Sequence, residues 1–139
     1  GNIGFPGGKV EHGDATTRHA AERETMEELG VDLGRAEYLG RLSDQDGAHL
    51  PVLLSCFVYG IEEELEFSLS NEVKDVFWLT IEDLIKRDCH GMHQFTFAGD
   101  LFESPCIQLP FKDKPVLWGL TYRIVSEFLE KTGMIMEVK

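Results

Sequence analysis

Three glutamates, Glu24, Glu27 and Glu28, crowd into the stretch Arg23-Glu24-Thr25-Met26-Glu27-Glu28-Leu29-Gly30-Val31. At about 3.6 residues per helical turn, positions i, i+3 and i+4 share a face, so a helix here points all three carboxylates the same way. Left alone, the trio repels itself by roughly 0.2–0.5 kcal/mol per like-charged pair. A hard divalent cation reverses that balance, because Mg2+ and Mn2+ take oxygen ligands and the trio offers several at once. A bound ion of this kind neutralises an anionic substrate and acidifies a water. A row of glutamates on one helix side is usually just a solvated face, and these three residues taken alone favour that reading.

The residues just upstream add to the pattern. Pro6-Gly7-Gly8 allows a tight turn that side chains would block. Brought close to the carboxylates, such a turn can add a backbone carbonyl to a metal shell. Arg23 projects about 100° away from Glu24. There it can pair with Asp14 or Glu11 and pin the loop to the helix.

Positioning these groups requires a helix over Thr16–Leu29, capped by Asp14, Thr16 or Thr17 and stopped at Gly30. Ala20, Ala21, Met26 and Leu29 give it a thin apolar side. Residues 2–6 read as the end of a strand. Tyr38–Leu42 and Pro51–Ile61 read as strands joined by the turn-rich Ser43-Asp44-Gln45-Asp46-Gly47. Val52, Leu53 and Leu54 form a continuous apolar run, which predicts a strand covered on both faces. Glu62-Glu63-Glu64-Leu65-Glu66 reads as a wet surface. Val76–Leu79 reads as a short strand, followed by a helix over Ile81–Lys86 that Thr80 caps with Asp83 three residues on. Phe95–Phe97 and Cys106–Phe111 read as a hairpin around Gly99-Asp100. A last helix opens at Pro115 and closes at Gly133, with Val116, Leu117, Leu120, Ile124 and Phe128 facing the core. The order of elements predicts one mixed α/β domain over residues 1–139, with helices covering a mixed sheet.

Composition narrows the partners. The chain has 139 residues, of which 42% are hydrophobic and 27% charged, so one domain with one core is expected. Its formal net charge is −12, with lysines and arginines scattered, which argues against general nucleic-acid binding. A small phosphorylated substrate held through a divalent metal stays compatible with that charge. Apolar runs long enough for a membrane span are missing, and the N-terminus does not read as a signal peptide. Three widely spaced cysteines, Cys56, Cys89 and Cys106, fit a reducing, intracellular setting better than a disulfide framework. His90 and His93, beside Cys89, lack a second ligand pair at zinc spacing and read as a surface loop. Trp118 and Phe111 read as core.

Taken together, Gly8, five residues, Asp14, eight residues, then Arg23-Glu24-Thr25-Met26-Glu27-Glu28-Leu29-Gly30-Val31 resembles the Nudix box. Asp14 stands where the family has Glu, the second spacer is one residue longer, and Thr25 takes an apolar place. The first two departures resemble the coenzyme A diphosphatase branch. So do Gly1-Asn2-Ile3-Gly4-Phe5-Pro6-Gly7-Gly8 upstream and Leu109-Pro110-Phe111 with Val116-Leu117-Trp118-Gly119-Leu120-Thr121 downstream, where Tyr122 stands in place of the branch's Ala.

The resemblance implies an α/β/α sandwich around a mixed sheet. The family's usual N-terminal strand is not represented, and a missing segment is the favoured explanation. It implies hydrolysis of a diphosphate with Mg2+ or Mn2+, with coenzyme A or an acyl derivative as the first substrate expected. Glu24, Glu27 and Glu28 carry over as metal ligands, the Gly8 carbonyl as a further one, and Glu24 as the candidate base. Arg23 and Asp14 carry over as a structural pair, and Gly7 and Glu11 as parts of the site loop; Glu72 reads first as an exposed loop acid, with an additional ligand or base as the lesser alternative. The histidine segment is expected to border the substrate cleft. Another nucleotide diphosphate substrate, or a binding module that has kept only the fold, stays open at this point. So do a homodimer and the choice among cytoplasm, peroxisome and mitochondrion.

Overall fold

The computed structural model describes residues 2–46 and 52–134. They fall into two units, one running from Phe5 to Phe77 and one taking the start of the chain to Gly4 and the chain from Trp78 onward.

The unit from Phe5 to Phe77 is built around helix α1, Thr17–Leu29. Thr16 is extended, with φ −146° and ψ 169°, and its Oγ1 accepts the His19 N–H at 3.0 Å, satisfying one orphan amide of the first turn. Gly30 ends the helix in the left-handed region at φ 70°, where a side chain would be strained. Strands β1, Glu37–Arg41, and β4, Phe57–Gly60, pair antiparallel, with a bulge between Tyr38 and Gly40. Two shorter strands, β2 at Gln45–Asp46 and β3 at Leu53–Leu54, form a second antiparallel pair.

One face of α1 is tied to the β1–β4 pair. The Arg18 guanidinium lies 3.7 Å from the Tyr38 ring centroid, its Nε donates to Tyr59 Oη at 3.1 Å, and that hydroxyl donates to Glu22 Oε2 at 2.6 Å. Thr25, on the same side, is buried, and its hydroxyl donates to the Ala21 carbonyl at 2.8 Å. A satisfied hydroxyl explains how Thr fits an apolar place. With this face engaged, Glu24, Glu27 and Glu28 project from the other side of the helix.

The second unit holds α2 at Ile81–Ile85, a hairpin of β5, His90–Phe97, and β6, Asp100–Ile107, then β7 at Leu117–Trp118 and α3 at Gly119–Lys131. Thr80 Oγ1 caps α2 by accepting the Asp83 N–H at 3.0 Å. Ala98 and Gly99 join the hairpin with φ of 53° and 86°, the signs a two-residue hairpin turn requires. Ile107, Leu117 and Leu129 are the fully buried large side chains, and Leu109, Ile124 and Val125 are buried as well. No helix among the described residues is long and apolar enough to cross a membrane.

Helices and strands share the chain as an α/β fold requires, and all four strand pairs among the described residues are antiparallel. Residues 2–6 and Val76–Leu79 carry no ladder. The strand expected over Pro51–Ile61 breaks at Ser55-Cys56, because its two halves pair with different partners. Pro51 itself, like Gly47, lies outside the described residues. Val52 and Leu53 are exposed at 45% and 66%, so that apolar run is not covered on both faces. Met26 is exposed as well, which narrows the apolar side of α1 further. The hairpin is longer than expected, since β6 begins at Asp100 and not Cys106. The last helix begins four residues after Pro115, because Leu117 and Trp118 extend to pair with Ile107 and Cys106. Of its expected core positions, Ile124 is buried on the helix and Leu117 on the strand, while Val116, Leu120 and Phe128 are half-buried.

Leu129 is fully buried on α3, so Leu129→Ala removes apolar contacts and leaves a cavity. Denaturant unfolding should show a loss of about 2–5 kcal/mol. A loss under about 1 kcal/mol would contradict this packing.

Candidate active site

Arg23 organises the loop between Gly7 and Asp14. Its Nε and Nη2 donate to Asp14 Oδ1 and Oδ2 at 2.9 and 3.1 Å, a two-point clasp. Nη2 also donates to the Lys9 carbonyl at 3.2 Å. Nη1 donates to Glu24 Oε1 at 3.0 Å and Glu27 Oε2 at 3.1 Å, and lies 3.7 Å from Glu11 Oε2. The loop closes on itself as well, with the Glu11 N–H donating to Asp14 Oδ2 at 2.7 Å and the Asp14 N–H to the Glu11 carbonyl at 3.0 Å. The Asp14 side chain is only 3% exposed. The Arg23 hydrogen bonds, helped by the Glu11 amide, hold its carboxyl down at about 2.

The glycine turn meets the carboxylates directly. Gly7 N–H donates to Glu28 Oε1 at 3.1 Å. The Glu24 carboxylate rests against Gly8 so closely that a Cβ there would lie 2.5 Å from Glu24 Cδ and 2.7 Å from its Oε1. A side chain at position 8 would therefore displace the Glu24 carboxylate from its place against the turn.

Residues 68–72 dock on the end of α1. Ser68 and Ser70 N–H groups donate to the Leu29 and Glu28 carbonyls at 2.8 and 2.9 Å, satisfying acceptors that the helix end leaves open. A cavity of about 280 Å3 there is lined by Glu24, Glu27, Glu28, Ser70, Asn71 and Glu72. The structure thus brings Glu72 to the trio. Ser70 and Asn71 are the residues that sequence reasoning missed, since no spacing rule connects them to a helix some forty positions earlier.

The electrostatics of this cavity are unfavourable as they stand. Burial pushes the Glu28 carboxyl above its usual range, and the nearby Glu24 and Glu72 push it the same way against the Gly7 amide. The last turn of α1 contains no basic residue, so Glu27 and Glu28 also face the negative end of the helix dipole. Among the described residues, no three acidic, His or Cys side chains are gathered closely enough to hold a metal ion as they stand. Glu27 turns to Arg23, while Glu24 and Glu28 face each other. The donor set nonetheless suits a hard cation: all oxygen, crowded and short of positive charge.

The histidine segment corrects the sequence reading. His90 and His93 belong to β5, not to a surface loop, because the extended pattern runs unbroken from residue 90 to 97. His90 is buried, with Nε2 2.9 Å from the Leu84 carbonyl and Nδ1 without a partner. The His93 ring centroid lies 4.6 Å from that of Trp118, which is half-buried, as is Phe111. Cys56, Cys89 and Cys106 form no disulfide.

Comparison with known proteins completes the picture. A family model described as the NUDIX domain matches residues 1–98. The chain is 30% identical over 132 residues to a Homo sapiens protein named mitochondrial coenzyme A diphosphatase NUDT8, covering 92% of this chain and 54% of that relative. It is also 30% identical over 135 residues to the Mus musculus protein of the same name, covering 94% and 62%. With Caenorhabditis elegans Nudix hydrolase 3 it shares 36% identity over 91 residues, covering 63% and 38%. The chain thus spans between about half and three-fifths of the length of the two mammalian relatives.

The clasp on Asp14 has a consequence for acid stability. A carboxyl held near 2 against an ordinary 3.8 contributes stability that is complete above 3.8 and is lost as pH falls toward 2. Asp14→Asn lacks that contribution throughout. The stability gap between wild type and Asp14→Asn, followed by denaturant unfolding, should therefore close as pH falls from about 5 toward 2. A gap that stays constant would contradict the clasp.

Proposed function

The chain belongs to the Nudix family, and from that premise we propose that it is a metal-dependent diphosphatase whose first substrate is coenzyme A or an acyl derivative. The products would be 3′,5′-ADP and the corresponding phosphopantetheine. The observation that carries this reading is the cavity at the end of α1, lined by Glu24, Glu27, Glu28 and Glu72 without a basic residue in the helix's last turn, with Gly7 and Gly8 against Glu28 and Glu24. That arrangement costs stability by like-charge repulsion and by its position on the helix dipole, and it suits cation binding.

Glu24, Glu27 and Glu28 would hold Mg2+ or Mn2+, with the Gly8 carbonyl as a further ligand and Glu72 as an additional acid at the rim. The ion, when bound, supplies charge neutralisation at the phosphates and lowers the pKa of water. The rest falls to the chain. Asp14 and Arg23 fix the loop so that the glycine turn and the helix face keep one spacing, and Glu11 supports that loop from its exposed side. A water oxygen attacks one phosphorus, the bond from that phosphorus to the bridging oxygen breaks, and the departing phosphate carries the bridging oxygen away. The water's proton passes to a carboxylate, for which Glu24, held against Gly8, is the candidate.

At about 280 Å3 the cavity suits the reacting diphosphate rather than a whole nucleotide, since sites that enclose drug-sized ligands span ~300–1,000 Å3. It does not by itself select among diphosphates. The choice of coenzyme A rests on the Gly4–Gly8 and Val116–Thr121 segments and on the names of the two mammalian relatives. The word mitochondrial in those names supports an intracellular setting.

Turnover with Mg2+ across coenzyme A, ADP-ribose and 8-oxo-dGTP tests this reading. Coenzyme A should be cleaved best. Glu27→Gln and Glu28→Gln should each lose at least ~10²-fold in rate while keeping the wild-type circular dichroism spectrum. A panel led by another nucleotide would redirect the substrate, and full activity in both variants would remove the enzymatic reading.

A further inference from the structure

The cavity poses a problem for any diphosphate that enters it. Four of its six lining residues are glutamates, which when ionised accept hydrogen bonds and donate none. Arg23, the nearest guanidinium, is committed to Asp14, Glu24, Glu27, Glu11 and the Lys9 carbonyl. An anionic substrate needs donors, and a metal ion satisfies only the oxygens that face it.

Two lining residues can donate. Ser70 Oγ already accepts the Glu72 N–H at 3.3 Å, which ties it to its own turn. Asn71 is exposed at the cavity, and its amide has no hydrogen-bond partner among the described residues. It brings two N–H donors and no charge. Its place is fixed by the backbone on its N-terminal side, where the Ser68 and Ser70 amides grip the Leu29 and Glu28 carbonyls. Gly30 allows this docking, since a Cβ there would lie 2.8 Å from Ser68 Cβ. Asn71 is thus carried by the same helix end that presents Glu27 and Glu28.

We propose that Asn71 is a substrate-contacting residue whose side-chain amide donates to a non-bridging oxygen of the bound diphosphate, with the Ser68–Ser70 docking as its positioning element. This rests on the diphosphatase reading and extends it. A neutral donor suits the place: a lysine there would be drawn to the glutamates, and an aspartate would repel the substrate.

The test uses the full chain with Mg2+ and two readouts. Calorimetric binding of methylenediphosphonate, a non-hydrolysable diphosphate, reports the contact without turnover, and kcat and KM for coenzyme A report it in catalysis. Asn71→Ala should weaken methylenediphosphonate binding and raise KM by about tenfold, the scale of one hydrogen bond to a charged group. Its kcat and its Mn2+ affinity, measured by electron paramagnetic resonance, should stay within about twofold. Asn71→Asp should weaken diphosphate binding further, and Asn71→Ser, which keeps a donor, should recover part of the loss. Because Asn71 is exposed, these variants should unfold at the wild-type temperature. If wild type binds the diphosphonate and cleaves coenzyme A while Asn71→Ala does both unchanged, this inference falls alone. A loss of diphosphate binding matched by a loss of Mn2+ affinity overturns it as well. A wild-type chain that neither binds the diphosphonate nor cleaves any member of the panel removes the underlying reading together with it.

Discussion

Arg23 faces six oxygens with one guanidinium, and the geometry of the cavity depends on that. It grips Asp14 at two points, reaches the Lys9 carbonyl, and reaches Glu24, Glu27 and Glu11 on its other side. Such a planar fork suits this task in a way a lysine would not, because its donors diverge in fixed directions. Without it, the loop from Gly7 to Asp14 would lack its anchor, and the glutamates would face one another with no nearby positive charge. The arrangement leaves Glu28 and Glu72 outside the reach of the guanidinium. The charge deficit is therefore concentrated on the cavity side of α1, where a cation would be most strongly attracted.

The same helix serves two masters. On one side Arg18, Glu22 and Thr25 tie it to β1 and β4 through a cation over an aromatic ring, a shared hydroxyl and an internally satisfied threonine. On the other side the carboxylates are placed against the preferences of a helix C-terminus, where basic residues are favoured. Residues 68–72 reconcile the two by capping the last carbonyls of α1 with backbone amides. That cap both stabilises the helix end and delivers Ser70, Asn71 and Glu72 to the cavity. Folding and site construction are thus one event at this end of the helix.

Much of this was legible in the sequence, and the limits were physical. The helix, its Thr16 cap and its Gly30 stop follow from local chemistry, as do the shared face of Glu24, Glu27 and Glu28 and the pairing of Arg23 with Asp14 and Glu11. What local chemistry cannot supply is the identity of a partner strand. Val52-Leu53-Leu54 reads as buried by its apolar run, yet β3 pairs only with the two-residue β2, and Val52 and Leu53 stay exposed. Pro105 lies inside β6, a place a strand rarely gives to proline. It is tolerated because β7 reaches only Cys106 and Ile107, leaving Pro105 paired on one side. Pro115 is a sound helix opener, but pairing with β6 holds Leu117 and Trp118 extended and delays α3 to Gly119. Asn71 was invisible because its role rests on a long-range docking that no periodicity encodes.

On the reading proposed above, one turn of α1 and the glycine bend beside it form a divalent cation site. Anomalous diffraction from crystals grown with millimolar Mn2+ tests it most directly. The account predicts a manganese peak within coordination distance of the carboxylates of Glu24, Glu27 and Glu28, with Glu27 released from Arg23 toward the ion. Well-ordered density for those three side chains with no manganese among them, or manganese bound elsewhere on the chain, would contradict it.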